Sequence, residues 1–342
     1  MSVQSRSSIA ANSRLSPGTV LGGDFVIASR IGGGAMGTVY LAEQRSTGRK
    51  RAVKVLNARF AKDPKGRERF AREAKLNAAV ESDHVVEVIS AGVDDESGVP
   101  WIAMELLEGE ELAGRVAKGP ALTQDECLKV LEQLGHGLGA AHRAGLVHRD
   151  LKPENVYLAR SRRAGEDFTV KLLDFGLAKL VSMHDQTGTF IGVGAPMWVA
   201  PEQGQAKAAI TPASDLWAFA LLAFWLLTGK HYWKGANDDG PLIALIKEIS
   251  AGVTVTATAR ATELGVATKV PRGFDAWFAR CTEREPTKRY RDADEATLAL
   301  LAALRGTSST TGGGRALAIV AIVTAVIVIA IAVVVTVLRM RG

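Results

Sequence analysis

Apolar and polar residues alternate in two different ways along this chain, and one further stretch does not alternate at all. Up to about residue 105, short runs rich in β-formers recur at 25–28, 39–42, 52–56, 85–89 and 101–105. Clusters of Gly, Asp and Ser separate them, which predicts strands joined by turns. Between the third and fourth runs, residues 66–80 place Phe70, Ala74 and Ala78 at helical spacing, so one helix interrupts the sheet. Past Gly109 the helical period takes over. Thr123-Gln124-Asp125-Glu126 has the form of a capping box, and Leu128, Leu131, Leu134 and Leu138 follow before Gly145 ends the element. Further helices are predicted at 215–228, 242–249, 274–281 and 293–304. No internal repeat is visible. The expected class is α+β: a small β-rich lobe (17–107), joined near Leu106 to Gly109 to a larger helical lobe (108–304), with a cleft between them.

The stretch without alternation is 316–338, which holds no charge and only Thr324 and Thr336 as polar members. As a helix it would be roughly 35 Å long, at about 1.5 Å per residue, against a bilayer core of about 30 Å. Its Val and Ile would favour strand in water, but in lipid only a helix satisfies the backbone. A single transmembrane helix is therefore expected, preceded by a Gly/Ser/Thr linker (305–315) and followed by a short tail (339–342). Residues 216–227 are apolar too, but too few to span, and read as a buried helix. Residues 1–16 are polar and Ser-rich, without an apolar signal core, and are expected to be disordered.

The formal charge of +6 first suggests nucleic acid, but its location does not. Arg6 and Arg14 lie before residue 15, and Arg305, Arg315, Arg339 and Arg341 end the chain, with no acid in either tail, so 15–304 is formally neutral. A nucleic-acid binder carries its basic excess on the folded domain, so none is expected as a partner. Two cysteines, Cys127 and Cys281, have no metal-ligand spacing and read as buried thiols in a reducing compartment.

Chemistry enters with Ile31-Gly32-Gly33-Gly34-Ala35-Met36-Gly37-Thr38-Val39. Glycines let backbone N–H groups close over phosphates without side chains in the way. A strand follows this loop, where a dinucleotide-binding turn would open a helix. A hairpin lid over a triphosphate is the better reading. Lys54 lies on the third predicted strand, and Glu73 on the following helix is expected to pair with it. The most specific segment is Val147-His148-Arg149-Asp150-Leu151-Lys152-Pro153-Glu154-Asn155, followed by Leu172-Leu173-Asp174-Phe175-Gly176. Phosphoryl transfer needs a carboxylate to orient the acceptor, cation ligands and a charge on the γ-phosphate. Asp150, Asn155, Asp174 and Lys152 supply these in order.

With these motifs together, residues 25 to about 304 resemble a Hanks-type (eukaryotic-like) serine/threonine protein kinase, of the kind bacteria use in membrane-tethered signalling. The resemblance implies a bilobal kinase fold using ATP and Mg²⁺, with Mn²⁺ as an alternative ion. It implies that Asp150 orients the substrate hydroxyl and accepts its proton, and that Lys152 marks serine/threonine acceptors. Asp174 and Asn155 would hold the two ions. Gly32, Gly34, Gly37, Val39, Ala52 and Lys54 would enclose the nucleotide, with Met104 as gatekeeper and backbone groups of Glu105 and Leu107 at the adenine edge. Glu202, in Ala200-Pro201-Glu202, would pair with Arg289, and Asp215 would brace the catalytic loop. Arg149 and Lys179 would receive a phosphorylated loop residue, for which Thr187 and Thr189 are candidates and Ser182 a weaker one.

Three positions depart from the pattern. Ala195 replaces a threonine whose hydroxyl would bond to Asp150 and Lys152, so weakened activity is expected. Asn77 stands where an apolar residue usually packs, and is expected to loosen the active alignment. Ala220 replaces a helix glycine without expected effect. The competing class is a membrane-anchored pseudokinase acting as a nucleotide-binding scaffold; Lys54, Glu73, Asp150, Asn155 and Asp174 argue against it. A small-molecule phosphotransferase is disfavoured by Lys152 and the activation segment through Glu202. Expected partners are ATP, protein substrates and a cell membrane. Ala321 and Ala325 have the spacing through which membrane helices pair, which makes a homodimer a candidate. The kinase domain is expected on the cytoplasmic side, where ATP is, with input from the cytosol or within the bilayer.

Overall fold

The computed structural model describes residues 15–34, 37–57, 64–94, 98–161, 163–175, 196–205, 208–237 and 241–305. Residues 306–315 of the linker, the apolar span at 316–338, Lys179, Ser182, Thr187, Thr189 and Ala195 lie outside them.

The N-terminal lobe is an antiparallel sheet in the order β1-β2-β3-β4-β6-β5. Its strands are β1 (Val20–Leu21), β2 (Phe25–Gly34), β3 (Gly37–Gln44), β4 (Arg49–Leu56), β5 (Val88–Val93) and β6 (Pro100–Glu105). Phe25, Ile27, Tyr40, Ala42, Val53, Trp101 and Ala103 alternate to one face and form its core. The helix α1 (Pro64–Ala78) lies in the cleft wall. Its buried face is Phe70, Glu73, Ala74 and Asn77, while Ala78 is exposed. The expected face at Phe70, Ala74 and Ala78 is thus displaced by one position, because this face carries polar groups that serve the cleft.

The run at 85–89 is not one strand. Val85 bridges Leu172 in parallel, and only from Val88 does the chain join the sheet. Leu172 explains this, because its N–H donates to His84 and its carbonyl accepts from Val86 (2.9 and 3.0 Å), using the backbone that the sheet would have taken.

The C-terminal lobe is built on α2 (Leu112–Lys118), α3 (Gln124–Arg143), α4 (Pro212–Thr228), α5 (Leu242–Ala251), α6 (Ala257–Glu263), α7 (Phe274–Cys281) and α8 (Ala293–Leu304). The capping box at Thr123 and Glu126 forms as read, with bonds of 2.7 and 3.2 Å. α4 is buried all round and is the axis of the core, with α3, α7 and α8 packed on it. A helix apolar on every side has to be surrounded by protein or lipid; here protein surrounds it. Among the described residues, no helix is long and apolar enough to cross a membrane. Among the described strands and α-helices, those missed in the sequence are β1, α2, α6 and a sheet of β7 (Gly109–Glu111), β8 (Val156–Arg160) and β9 (Phe168–Leu172). Val156 on β8 lies opposite Leu172 on β9, so the catalytic segment and Asp174 leave the same end of that sheet side by side. Both cysteines are buried and free, and burial pushes the Cys127 thiol up to about 11, so neither is reactive.

Candidate active site

The glycine segment folds as the β2–β3 hairpin, in register to Gly34 opposite Gly37. Gly37 is required there: a Cβ would collide with the Val55 carbonyl on β4. At Gly34 a Cβ would meet nothing within 4 Å, so packing does not demand glycine there as it does at Gly37. Behind the hairpin, Val39 is the register partner of Lys54 and Ala52 the partner of Met104. These residues and the chain at Leu107 therefore line one end of the cleft. The Glu105 N–H donates to Glu87 (3.0 Å), so the backbone group it can offer an adenine edge is its carbonyl. Its carboxylate is held by Lys171 at 2.5 Å, a contact between the lobes with no signal in the sequence.

Lys54 is buried, and its ammonium lies 2.5 Å from Asp174. It pairs with Asp174 and not with Glu73, contrary to the expectation from sequence. The reason is local: Asp174 has φ +62°, and this left-handed turn aims its carboxylate directly at the lysine. In a cleft of low dielectric the ammonium takes the carboxylate that reaches contact distance. Glu73 is buried on α1 within the same cleft wall.

The catalytic segment closes on itself. Lys152 Nζ lies 2.8 Å from Asp150 Oδ2, and Asn155 Nδ2 donates to the same oxygen (3.0 Å) and to the Asp150 carbonyl (2.7 Å). Oδ2 is thus doubly occupied, and Oδ1 is the oxygen left for an incoming hydroxyl. Both protons of the Asn155 amide point at Asp150, so its own Oδ1 is the atom available to a cation.

Beneath this segment sits Asp215, which is 1% exposed. It accepts from the amides of His148 and Arg149 (2.8 Å each) and faces His142 Nε2 at 2.9 Å. Burial would raise its pKa, but the bonds from His142 and the Arg149 amide outweigh this and hold it below the ordinary aspartate value. These bonds fix Arg149 at φ +68°, a conformation non-glycine residues avoid. Gln203 Nε2 adds a bond to the Arg149 carbonyl (2.8 Å). His142 and Gln203 were not anticipated: nothing in their spacing marks them, and only the fold brings them to the loop.

Glu202 and Arg289 form the expected pair, bidentate at 2.7 and 2.8 Å, and Arg289 also donates to the carbonyls of Ala213 and Glu283. Burial would raise the Glu202 pKa, but Arg289 holds it below the ordinary value. Asn77 overturns the expectation attached to it. It is buried, and its amide donates to the carbonyls of Glu73 (3.0 Å) and Phe175 (3.3 Å), which ties α1 to the turn at Asp174 where loosening was expected.

Among the described residues, no group of three or more His, Cys, Asp or Glu side chains could cage an ion. A carboxylate and an amide oxygen in a cleft suit Mg²⁺, which keeps waters and phosphate oxygens and needs only one or two protein groups. The residues therefore fit the ion that the resemblance implies. A β-rich lobe with a glycine hairpin, a helical lobe, and between them a buried lysine paired with a half-buried aspartate and a second, braced aspartate define the class of bilobal phosphotransferases.

The comparisons with known proteins agree. Residues 25–297 match the protein kinase domain family, and the chain belongs to that family. It is 37% identical over 301 residues to the serine/threonine-protein kinase pkn2 of Myxococcus xanthus, covering 86% of this chain and 34% of the relative. It is 32% identical over 291 residues to the serine/threonine-protein kinase drp72 of Corynebacterium efficiens, covering 84% and 52%. The chain thus spans about a third to a half of the length of these curated relatives. The crystal structure of the Mycobacterium tuberculosis PknI kinase domain covers 84% of this chain and 98% of its own, with TM-score 0.63 and 27% identity.

Proposed function

We propose that this chain is a serine/threonine protein kinase that transfers the γ-phosphate of ATP to protein hydroxyls. The observation that carries the reading is the geometry around Asp150. One carboxylate oxygen is held by Lys152 and Asn155, the loop beneath is fixed by Asp215, and the other oxygen is free to orient a serine or threonine hydroxyl and take its proton. Lys152 is placed to meet negative charge developing on the transferred group. Lys54 would orient the nucleotide phosphates, and Asp174 and Asn155 would hold Mg²⁺, or Mn²⁺ in its place. The ion, when bound, supplies charge neutralisation on the β and γ phosphates. Holding both aspartates, Lys54 and Asn155 in place is what a pseudokinase scaffold would not need.

The remaining elements belong to the same proposal. Residues 316–338 would anchor the chain in the cell membrane as a single pass, with the kinase domain cytoplasmic, and a homodimer through Ala321 and Ala325 would promote phosphorylation in trans. Thr187 or Thr189, once phosphorylated, would be received by Arg149 and Lys179. Incubation with ATP and Mg²⁺ followed by peptide mass spectrometry is expected to place phosphate on the loop. Phosphate absent from Thr187, Thr189 and Ser182 in an active preparation would reject the switch. Truncation after Arg305 is expected to release the protein from membrane fractions; retention in them would reject the anchor.

A further inference from the structure

Between β3 and β4 the chain reads Arg45-Ser46-Thr47-Gly48-Arg49-Lys50-Arg51, four cations in seven residues with no acid and no apolar side chain among them. Arg45, Arg49 and Lys50 are exposed, and Arg51 is half-buried with its Nε on Gln44 Oε1 (3.0 Å). Other basic runs in the domain are neutralised: Arg163 meets Asp83 and Glu166, and Arg289 and Arg291 meet Glu202 and Asp292. Among the described residues, none of the four hairpin cations has an ion pair. Asp24 is taken up inside the turn, accepting from the Ser46 N–H and hydroxyl (2.8 Å each) and from Gln44 Nε2 (3.0 Å). Glu43 lies opposite Lys50 in register without reaching it. Four cations less these two acids leave the hairpin at +2. The Gly48 N–H on the Gln44 carbonyl (2.7 Å) and the Asp24 bonds fix the turn, so the charges are held out on a defined backbone.

We propose that this hairpin is a docking surface for a bilayer rich in anionic phospholipid headgroups. The proposal rests on the reading above, in which 316–338 anchors the chain. Residues 306–315 reach at most about 35 Å, at ~3.3–3.6 Å per residue, so an anchored domain stays beside the bilayer. A cation brought to an anionic membrane surface is worth about a fivefold change in occupancy, so the net charge of the hairpin is worth about 30-fold. Such a contact is weak for a free protein but sufficient for one tethered at an effective concentration of about a millimolar. The tip has no apolar anchor, which suits a diffuse anionic surface rather than one peptide. β3 runs 8 residues from Gly37 to Gln44, so the tip lies roughly 23 Å from the glycine loop at ~3.3 Å per residue. Docking there leaves the glycine loop clear of the bilayer.

The test uses the full-length chain with Thr47→Cys, reconstituted into nanodiscs and labelled with a donor dye. Cys127 and Cys281 are buried, so the label goes to position 47. Energy transfer to an acceptor on the lipid headgroups is compared between phosphatidylcholine discs and discs that also contain phosphatidylglycerol. Transfer is expected to be higher on the phosphatidylglycerol discs. It should fall to the phosphatidylcholine level as salt rises from about 0.1 M to about 1 M, where the screening length shrinks from about 10 to about 3 Å. Combining Arg45→Gln, Arg49→Gln and Lys50→Gln should lower the docked-to-free ratio on the order of 100-fold and leave nucleotide affinity unchanged. Equal transfer on both kinds of disc, or an anionic gain that survives in the triple variant, overturns the proposal. Binding of soluble polyglutamate to the hairpin with no gain on phosphatidylglycerol discs assigns the patch to an acidic protein segment and overturns it too. A chain that fails to co-elute with phosphatidylcholine discs at high salt loses the anchor first, and this proposal with it.

Discussion

Replacement of Asp215 by asparagine is the most informative single change outside the cleft. The carboxylate serves three groups: Arg149 N–H on Oδ1, and His148 N–H with His142 Nε2 on Oδ2. Asparagine is the same size but offers one acceptor oxygen and one NH₂. Whichever way it is placed, one of the two loop amides meets a donor instead of an acceptor. The change removes a hydrogen bond to a charged group, worth about 1.5–3 kcal/mol, and leaves a buried N–H unpaired, costing about 1–3 kcal/mol more. The sum, about 2.5–6 kcal/mol, is as large as or larger than the strain it restrains. A left-handed non-glycine residue such as Arg149 costs on the order of 1–3 kcal/mol, which the unbraced loop can release by turning. Since each 1.4 kcal/mol is about a factor of ten, the fraction of loops holding Asp150 in place should fall about 10- to 100-fold. Steady-state phosphoryl transfer should therefore show kcat down by that factor with KM for ATP near its original value, and calorimetry should show a lower Tm. An Asp215→Asn protein with unchanged kcat would refute the argument that the strained loop depends on this carboxylate.

Other changes test separate parts. Gly37→Ala places a methyl against the Val55 carbonyl and should weaken both nucleotide binding and Tm, checked by titration and calorimetry on the same sample. Lys54→Met leaves Asp174 without its partner and should lower kcat about 10²- to 10³-fold, as loss of a charge-stabilising donor does, while the fold persists by circular dichroism. Arg289→Ala leaves Glu202 buried and unpaired and should cost about 3–5 kcal/mol in denaturant unfolding. Because the folded Glu202 pKa lies below its ordinary value of 4.5, the stability it contributes is full above that value and is lost as the pH falls through the folded value beneath it. Thermal melts between neutral and acid pH should show that part of the decline removed in Glu202→Gln.

The fold was legible where a residue's role depends on its neighbours in sequence. The capping box at Thr123, the apolar helix α4 and the order of Lys54, Asp150, Asn155 and Asp174 all follow from local pattern and spacing. What escaped depends on contacts across the fold. Lys54 pairs with Asp174 because of a backbone angle that no composition encodes. His142 and Gln203 reach the catalytic loop only through α3 and the turn at Pro201–Gly204. Asn77 read as a packing defect because sequence shows the missing methyl groups but not the two carbonyls that the amide meets. The short strands β7 to β9 carry too few alternating positions to stand out beside the motifs they flank.

The central claim is tested most directly by incubating the full-length chain and its Asp150→Asn variant with γ-labelled ATP, Mg²⁺ and a generic protein substrate, then hydrolysing the product to its phosphoamino acids. The account predicts phosphoserine and phosphothreonine from the unaltered chain, and a loss of at least about 10²-fold in the variant, with nucleotide binding intact in both. Nucleotide binding with no label on protein, or equal labelling by the variant, would contradict it.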